Sequence, residues 1–558
     1  MKKTNVKLTV AVILFVAICM AAAGTSPSAE APWYGIVPPL LAIMAAFVTK
    51  NVMLSLGGAI LMGGLLKQVV PDALSLSAWG AGLGQAWEFI WVAARPWVPA
   101  ASPTEGGHFS DNWVILSFVF IIFAMVETIL MAGGFDGVIR RLLRFVKGKR
   151  SAEFLTATLG VGCFIDDYAN AIIVGSSVRP ITDRFRVSRE KLAFLVDATS
   201  APISGLAVIS TWIAYEVGLF GAVATDLGIG QNGYAMFFDA LAFRFYCLLM
   251  ILFVFLLILV GRDFGPMRHT RPQGQDEDTT EANAAPQGGH ARTALTPLLG
   301  MILFHVLLLW WTGQGWAKLQ GGQWATSWIY WREVISDVPN SSLVLVYSSS
   351  FGLALAVLMA RVCDRLSIGR ILAAMAAGAR KGLFPSVILI LAWSLKNCCD
   401  GLSTGDYLSS LLVGTVAPIW FPVLLFIVAS ITSFATGTSW GTMAILIPTA
   451  IPVAFALDGD AYGLITMISL GAVLDGAIFG DHCSPISDTT IISSLSCQCD
   501  LMQHVRTQLP YCIWVASLAL ACGYLPAALG MKWIWSILMA LVPMAGVFWW
   551  ARVRSVEA

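Results

Sequence analysis

The chain has 558 residues, of which 57% are hydrophobic and only 12% charged, about half the charged share of an ordinary soluble domain. With a mean hydropathy of +0.77 it cannot cover a water-facing surface, which excludes a soluble enzyme or a nucleic-acid binder and makes a lipid bilayer its solvent. Its 34 basic and 33 acidic residues nearly cancel to +1, so the placement of charge is informative and its sum is not. The 11 cysteines lie mostly in apolar runs, where thiols act as small hydrophobes. The close pairs Cys398-Cys399 and Cys497-x-Cys499 lack the spacing of a zinc site, so no resident cofactor is expected.

In chain order, Lys2, Lys3 and Lys7 precede an apolar run from about Leu8 to Ala23, followed by the polar stretch Gly24 to Glu30. Residues 1–32 read as a signal-like segment or a retained first helix, and retention is preferred. Further apolar runs recur at about 33–49, 52–70, 113–132, 192–215, 241–261, 295–312, 343–361, 383–399, 461–495, 510–529 and 532–550. Basic clusters mark the cytoplasmic side of a membrane. They stand at Arg140 to Arg150, Arg179 to Lys191, Arg262 to Arg292, Arg361 to Lys381, and Arg552 with Arg554. The loops around 71–112 and 313–340, rich in Trp and Pro but poor in Lys and Arg, read as outside.

The first two basic clusters enclose a largely apolar stretch, residues 151–178. A single crossing takes about 20 residues, so these cannot cross and return. They must form a re-entrant hairpin, with Asp166-Asp167-Tyr168-Ala169-Asn170 at its tip. The same logic, turned over, gives a second hairpin at 419–456, its tip at Thr436-Gly437-Thr438-Ser439-Trp440-Gly441. Each hairpin is followed by a helix broken at a polar, Pro-containing patch. The break in 192–215 is Asp197-Ala198-Thr199-Ser200-Ala201-Pro202-Ile203-Ser204. That in 461–495 runs from Gly480-Asp481-His482-Cys483 through Ser484-Pro485-Ile486-Ser487 to Asp488-Thr489-Thr490. Both contain Pro-Ile-Ser. The expected fold is all-α and polytopic, with about twelve crossings and two hairpins in two inverted repeats, 33–261 and 295–550. A flexible cytoplasmic linker (262–294) joins them, a short tail (551–558) follows, and both termini are expected inside the cell membrane.

Inverted halves with broken helices are the architecture of secondary transporters. Close packing of small residues accounts for the Gly, Ser and Thr at these sites, but not for the acids. A charge at the bilayer centre costs about 2.5–3.5 kcal/mol on insertion scales, so one kept there is expected to act. An aspartate held away from water can bind either a proton or Na⁺, one displacing the other. Asp166 and Asp167 are the expected exchange pair, with Asp481 and His482 the matching element in the second half. Asn170, Asp197, Ser200, Thr436, Thr438, Ser439, Ser484, Ser487, Asp488 and Thr489 are the candidate ion or substrate ligands, with Na⁺ at Asp166, Asp167 and Asn170. Helix capping is the competing reading for Asp166, Asp167 and above all Asp488, and a bond to a backbone carbonyl is the competing one for His482. The phosphate-loop pattern fails at Leu143 and Arg150, so no ATP-driven pump is expected. Matched halves argue against an intramembrane hydrolase and against a channel.

Asp166-Asp167-Tyr168-Ala169-Asn170, Arg179-Pro180-Ile181-Thr182-Asp183, Ser188-Arg189-Glu190-Lys191, Thr436 to Thr442 and Gly480 to Thr490 together resemble the NhaC family of Na⁺/H⁺ antiporters. The resemblance spans about Trp33 to Trp550. It implies a hairpin-containing fold in which the hairpin tips and broken helices form one central site and one half-domain moves as an elevator. It also implies relatives that carry organic acids or amino acids with Na⁺ or H⁺, and a homodimer by analogy. The function expected is Na⁺/H⁺ antiport, not enzymatic. Its partners are Na⁺, H⁺ and lipid, and the alternative is cation-coupled transport of an amino acid or carboxylate.

Overall fold

The computed structural model describes residues 32–69, 76–98, 108–272 and 289–554. The N-terminal run up to residue 31, residues 70–75 and 99–107, part of the linker (273–288) and the last four residues lie outside that set. After a 3₁₀ turn at Trp33–Ile36 come α1 (Val37–Thr49), α2 (Val52–Val69) and α3 (Leu76–Ala94). A two-residue antiparallel ladder pairs Trp97 with Phe109 and Val98 with His108 before α4 (Asp111–Met131). The first half continues through α5 (Gly134–Leu143), α6 (Lys149–Gly162), α7 (Asp167–Arg184), α8 (Arg189–Asp197), α9 (Ala201–Leu206), α10 (Thr211–Asp226), α11 (Gly233–Leu241) and α12 (Phe245–Val260). The second half opens with α13 (Ala291–Thr312), α14 (Gly315–Gln320), α15 (Trp328–Ser336), α16 (Ser341–Val362), α17 (Ile368–Lys381), α18 (Leu383–Gly401) and α19 (Thr404–Leu412). It ends with α20 (Phe421–Thr436), α21 (Ser439–Leu457), α22 (Leu464–Cys483), α23 (Asp488–Ser496), α24 (Leu501–Leu518), α25 (Leu525–Ala528) and α26 (Trp533–Arg554).

Nine helical segments of the described residues are long and apolar enough to cross a membrane, or ten if the pair Arg189–Leu206 and Thr211–Asp226, bent by 45°, is one span. Seven of these nine match expected crossings; the expected first crossing lies outside the described residues, and α1, α2 and α26 are apolar helices beyond the nine. Both arms of the second expected hairpin, Pro418–Thr436 and Ser439–Leu457, pass the same length test. The packing centres on the site: α20 lies along α22, α21 beside α22, α7 against α23, and α10 against α21. The first-half and second-half helices thus interleave around one interior.

The breaks fall where side chains replace backbone partners. Helix starts leave amide donors unsatisfied, and the residues before α7, α8, α10, α21 and α23 supply oxygens to them. These caps are Asp166, Ser188, Ser210, Thr438 and Ser487. Gly437 ends α20 with φ +69°, a left-handed conformation that glycine takes without steric cost. That glycine lets the chain reverse into α21 within two residues.

Candidate functional site

At the first tip, the chain leaves α6 at Gly162 and re-enters helix at Asp167. Asp166 Oδ1 accepts the Ala169 amide at 2.8 Å, and Asp166 Oδ2 accepts the Thr211 hydroxyl at 3.1 Å. The Thr211 amide in turn donates to the Ile165 carbonyl at 2.8 Å. Asp166 is thus the cap of α7 and the tie to α10, with both oxygens engaged. Asp167, its neighbour, is buried at 2% exposure with Oδ1 lacking a hydrogen-bond donor. Asn170 is fully buried, and its Nδ2 donates to the carbonyls of Gly160 (2.7 Å) and Thr199 (3.0 Å). Carbonyls only accept, so this pairing fixes which end of the amide is nitrogen. Asn170 Oδ1 is left without a donor. Residues three apart share a helix face, so the first turn of α7 carries two buried, unpaired acceptor oxygens.

Asp197, at the first break, is held by the second half. Its carboxylate accepts from Gln508 Nε2 at 3.0 Å, Ser493 Oγ at 3.2 Å and Thr490 Oγ1 at 3.4 Å, and His504 Nε2 stands 3.4 Å away. His482 Nε2 lies 3.2 Å from the Asp197 carbonyl and must donate there. In the neutral ring Nδ1 then accepts from Tyr246 Oη at 3.1 Å. The competing reading of His482, a ring bonded to a backbone carbonyl, describes these bonds. Asp481 Oδ2 accepts the Thr489 hydroxyl at 2.8 Å, which is also paired with Ser487 Oγ at 2.9 Å. Ser487, not Asp488, caps α23; Asp488 follows the cap and stays exposed.

The second tip docks on the second break. Ser484 donates to the Phe434 carbonyl at 2.8 Å, and a Cβ on Gly437 would lie 2.5 Å from the Ile486 carbonyl oxygen. Tyr215 of α10 donates to the Trp440 carbonyl at 2.5 Å, and their rings lie tilted by 33° with centroids 4.5 Å apart. Thr438 caps α21 through the Gly441 amide at 3.3 Å. Ser200 and Thr436 bond only to nearby backbone carbonyls, and Ser439 opens α21, buried. A cavity of about 700 Å³ lies between the two tips, and Asp166, Thr438, Asp488 and the ion pair Lys381–Glu127 are among its lining residues. Asp166 and Asp481 both act electrostatically on Asp167. Asp166 and Asp488 bring a carboxyl from each half to the cavity wall.

Sequence reasoning did not assemble a second buried charge cluster. Arg244 Nε donates to Asp475 Oδ1 at 2.8 Å, and Arg244 Nη1 to Glu216 Oε1 at 3.3 Å and the Gly205 carbonyl at 3.0 Å. Tyr524 Oη and the Tyr246 amide donate to Asp475 Oδ2 at 2.7 and 2.6 Å. All three charged side chains are fully buried. An arginine and a glutamate inside apolar runs were the available signal. Among the described residues no three His, Cys, Asp or Glu come together as a metal site.

Broken helices, capped tips and buried carboxyls around a cavity among apolar, membrane-length helices define a secondary transporter, a multi-pass membrane protein. The chain belongs to the Na⁺/H⁺ antiporter family, whose model matches residues 205–525. An uncharacterized protein of Haemophilus influenzae is 31% identical over 495 residues, covering 88% of this chain and 90% of its own. The malate-2H⁺/Na⁺-lactate antiporter of Bacillus subtilis is 40% identical over 75 residues, covering 13% of this chain and 15% of its own. The fold resembles that of Neisseria gonorrhoeae MtrF, with TM-score 0.55 and 10% identity, over 93% of this chain and 97% of that one.

Proposed function

We propose that this protein exchanges Na⁺ for H⁺ across the cell membrane by alternating access. The carrying observation is the pair of buried acceptors without donors, Asp167 Oδ1 and Asn170 Oδ1, on the first turn of α7. Buried polar atoms in native proteins are nearly always paired, and oxygen is the ligand type a small hard cation takes. Asp167 is the exchange site in this reading: as a carboxylate it holds Na⁺ with Asn170, and as a carboxylic acid it releases it. Asp166 holds the helix start in place. Asp481 and His482, tied through Asp197 to the first half, form the wall that moves with it. The helix pairs 149–184 and 421–457 act as re-entrant hairpins of two inverted repeats, with both termini in the cytoplasm.

The test is a proteoliposome assay with a pH dye trapped inside and no imposed pH gradient. External Na⁺ is expected to make the lumen alkaline as protons leave, and Asp167→Asn is expected to abolish the response. Full exchange by both Asp167→Asn and Asn170→Ala would refute the assignment. A second reading, cation-coupled movement of an organic solute, is favoured by the size of the cavity, far larger than an ion needs. The Bacillus relative is named for such coupling.

A further inference from the structure

The cavity between the tips has a chemistry that an ion does not explain. Its volume of about 700 Å³ falls in the range of small-molecule sites, roughly 300–1,000 Å³. Its walls are large and apolar, including Phe123, Ile172, Phe384, Trp440 and Ile491. Lys381 is the one cation among its lining residues. Its Nζ stands 2.5 Å from Glu127 Oε2, and the Lys381 side chain is 55% exposed, so a ligand can reach the pair. The charges of both residues reach Asp166 at the first tip.

These features limit what can bind. A carboxylate alone would pair with Lys381 but leave Glu127 without its partner and close to a like charge. An amine alone would leave Lys381 unpaired. A molecule bearing one group of each sign, close together, exchanges the internal ion pair for two ligand pairs and leaves no charge unmatched. The remainder of the ligand then lies against apolar walls, where burial contributes about 25 cal/mol per Å². A second carboxylate on the ligand would face Asp166 and Asp488 and be repelled.

We propose that this cavity is a solute site for a zwitterionic α-amino acid with an apolar side chain, its carboxylate on Lys381 and its ammonium on Glu127. The inference rests on the reading that the volume between the two tips is the transport site. The amino acid then shares a cavity with Asp166, one residue from the cation site, which makes the two occupancies interdependent.

The test is equilibrium binding of labelled L-phenylalanine, L-leucine and L-methionine to the purified full-length protein in Na⁺ buffer, with competition by phenylalanine methyl ester, phenethylamine and L-malate. At least one of the three labelled amino acids is expected to bind. Each competitor is expected to be weaker by about tenfold or more, the scale of one lost charge-assisted bond of about 1.5–3 kcal/mol. Lys381→Gln should weaken binding and erase the preference for the free carboxylate over the methyl ester, while Lys381→Arg should retain it. If Lys381→Gln does not fold, Glu127→Gln offers the parallel reading, loss of the preference for L-phenylalanine over 3-phenylpropionate. No binding of any of the three, tighter binding of malate, or a preference unchanged in Lys381→Gln overturns the proposal. Na⁺-driven lumenal alkalinisation without amino acid separates the two readings. If it persists when no amino acid binds, only the solute site fails. If amino acid binds but Na⁺ alone moves no protons, only the simple exchange fails.

Discussion

Asp166 and Asp167 are identical side chains with different work, because a helix start turns successive residues in different directions. Asp166 spends its oxygens on Ala169 and Thr211, whereas Asp167 Oδ1 has no donor. Asp166→Ala removes the cap and is expected to destabilise the protein by about 0.5–2 kcal/mol, read as a lower melting temperature in detergent. Asp166→Asn, whose amide oxygen still accepts from Ala169, is expected to melt close to the parent. The Arg244 cluster belongs at this scale too. Arg244→Leu leaves Asp475 and Glu216 buried without their cation, and breaking a buried pair from one side costs about 3–5 kcal/mol. The variant is expected to lose most of its folded yield, with Arg244→Lys intermediate because a single ammonium cannot span both carboxylates.

At the scale of elements, the two tips and two breaks carry the architecture. Gly437→Ala would place a Cβ against the Ile486 carbonyl and force a side chain into a left-handed turn. Its expected result is loss of Na⁺-dependent proton movement in vesicles with expression retained, since only the docking of one tip is disturbed. Much of this level was legible: the turn at Gly437, the cap at Thr438 and the break after Cys483 all lie within the polar motifs. The interruption between α9 and α10 was not. Ala207, Val208 and Ile209 contain neither proline nor glycine, and the break exists because Ser210 caps α10 and donates to the Ser204 carbonyl. The capping reading that competed for Asp488 belongs one position earlier, to Ser487, because Ser and Asp are equally good capping residues in sequence. Lys381 sat in a basic cluster that reads as interfacial, and no local pattern tells that it faces Glu127 across 254 positions.

At the scale of the whole molecule, the proposed exchange, in which one site serves Na⁺ and H⁺, would link transport to pH in a fixed direction. If a proton on Asp167 excludes Na⁺, as proposed, acidification is expected to raise the Na⁺ concentration needed for half-maximal exchange. For one proton per site the limit is about tenfold per pH unit on the acid side. A Na⁺ titration of the vesicle signal at several pH values checks this, and an apparent affinity independent of pH would separate the two ions onto different sites. The shared interior of the two halves was foreseeable from the paired motifs. The pairings that join the halves were not, since Asp197 finds Gln508 across 311 positions.

Those same pairings govern how the protein is made. Asp197 is translated with Ala198 and Thr199 after it, yet its carboxylate partners Thr490, Ser493 and Gln508 come 293 to 311 residues later. At about 5–20 residues per second a nascent chain carries that acid for about 15–60 s before the groups that neutralise its burial exist. During that interval the segment must stay in the insertion machinery, under a membrane chaperone, or in water at the bilayer surface. A chain that ends before Thr490 lacks every one of those three partners, so its Asp197 carboxylate has no donor from the second half. Biogenesis of this transporter is therefore completed from its C-terminal end.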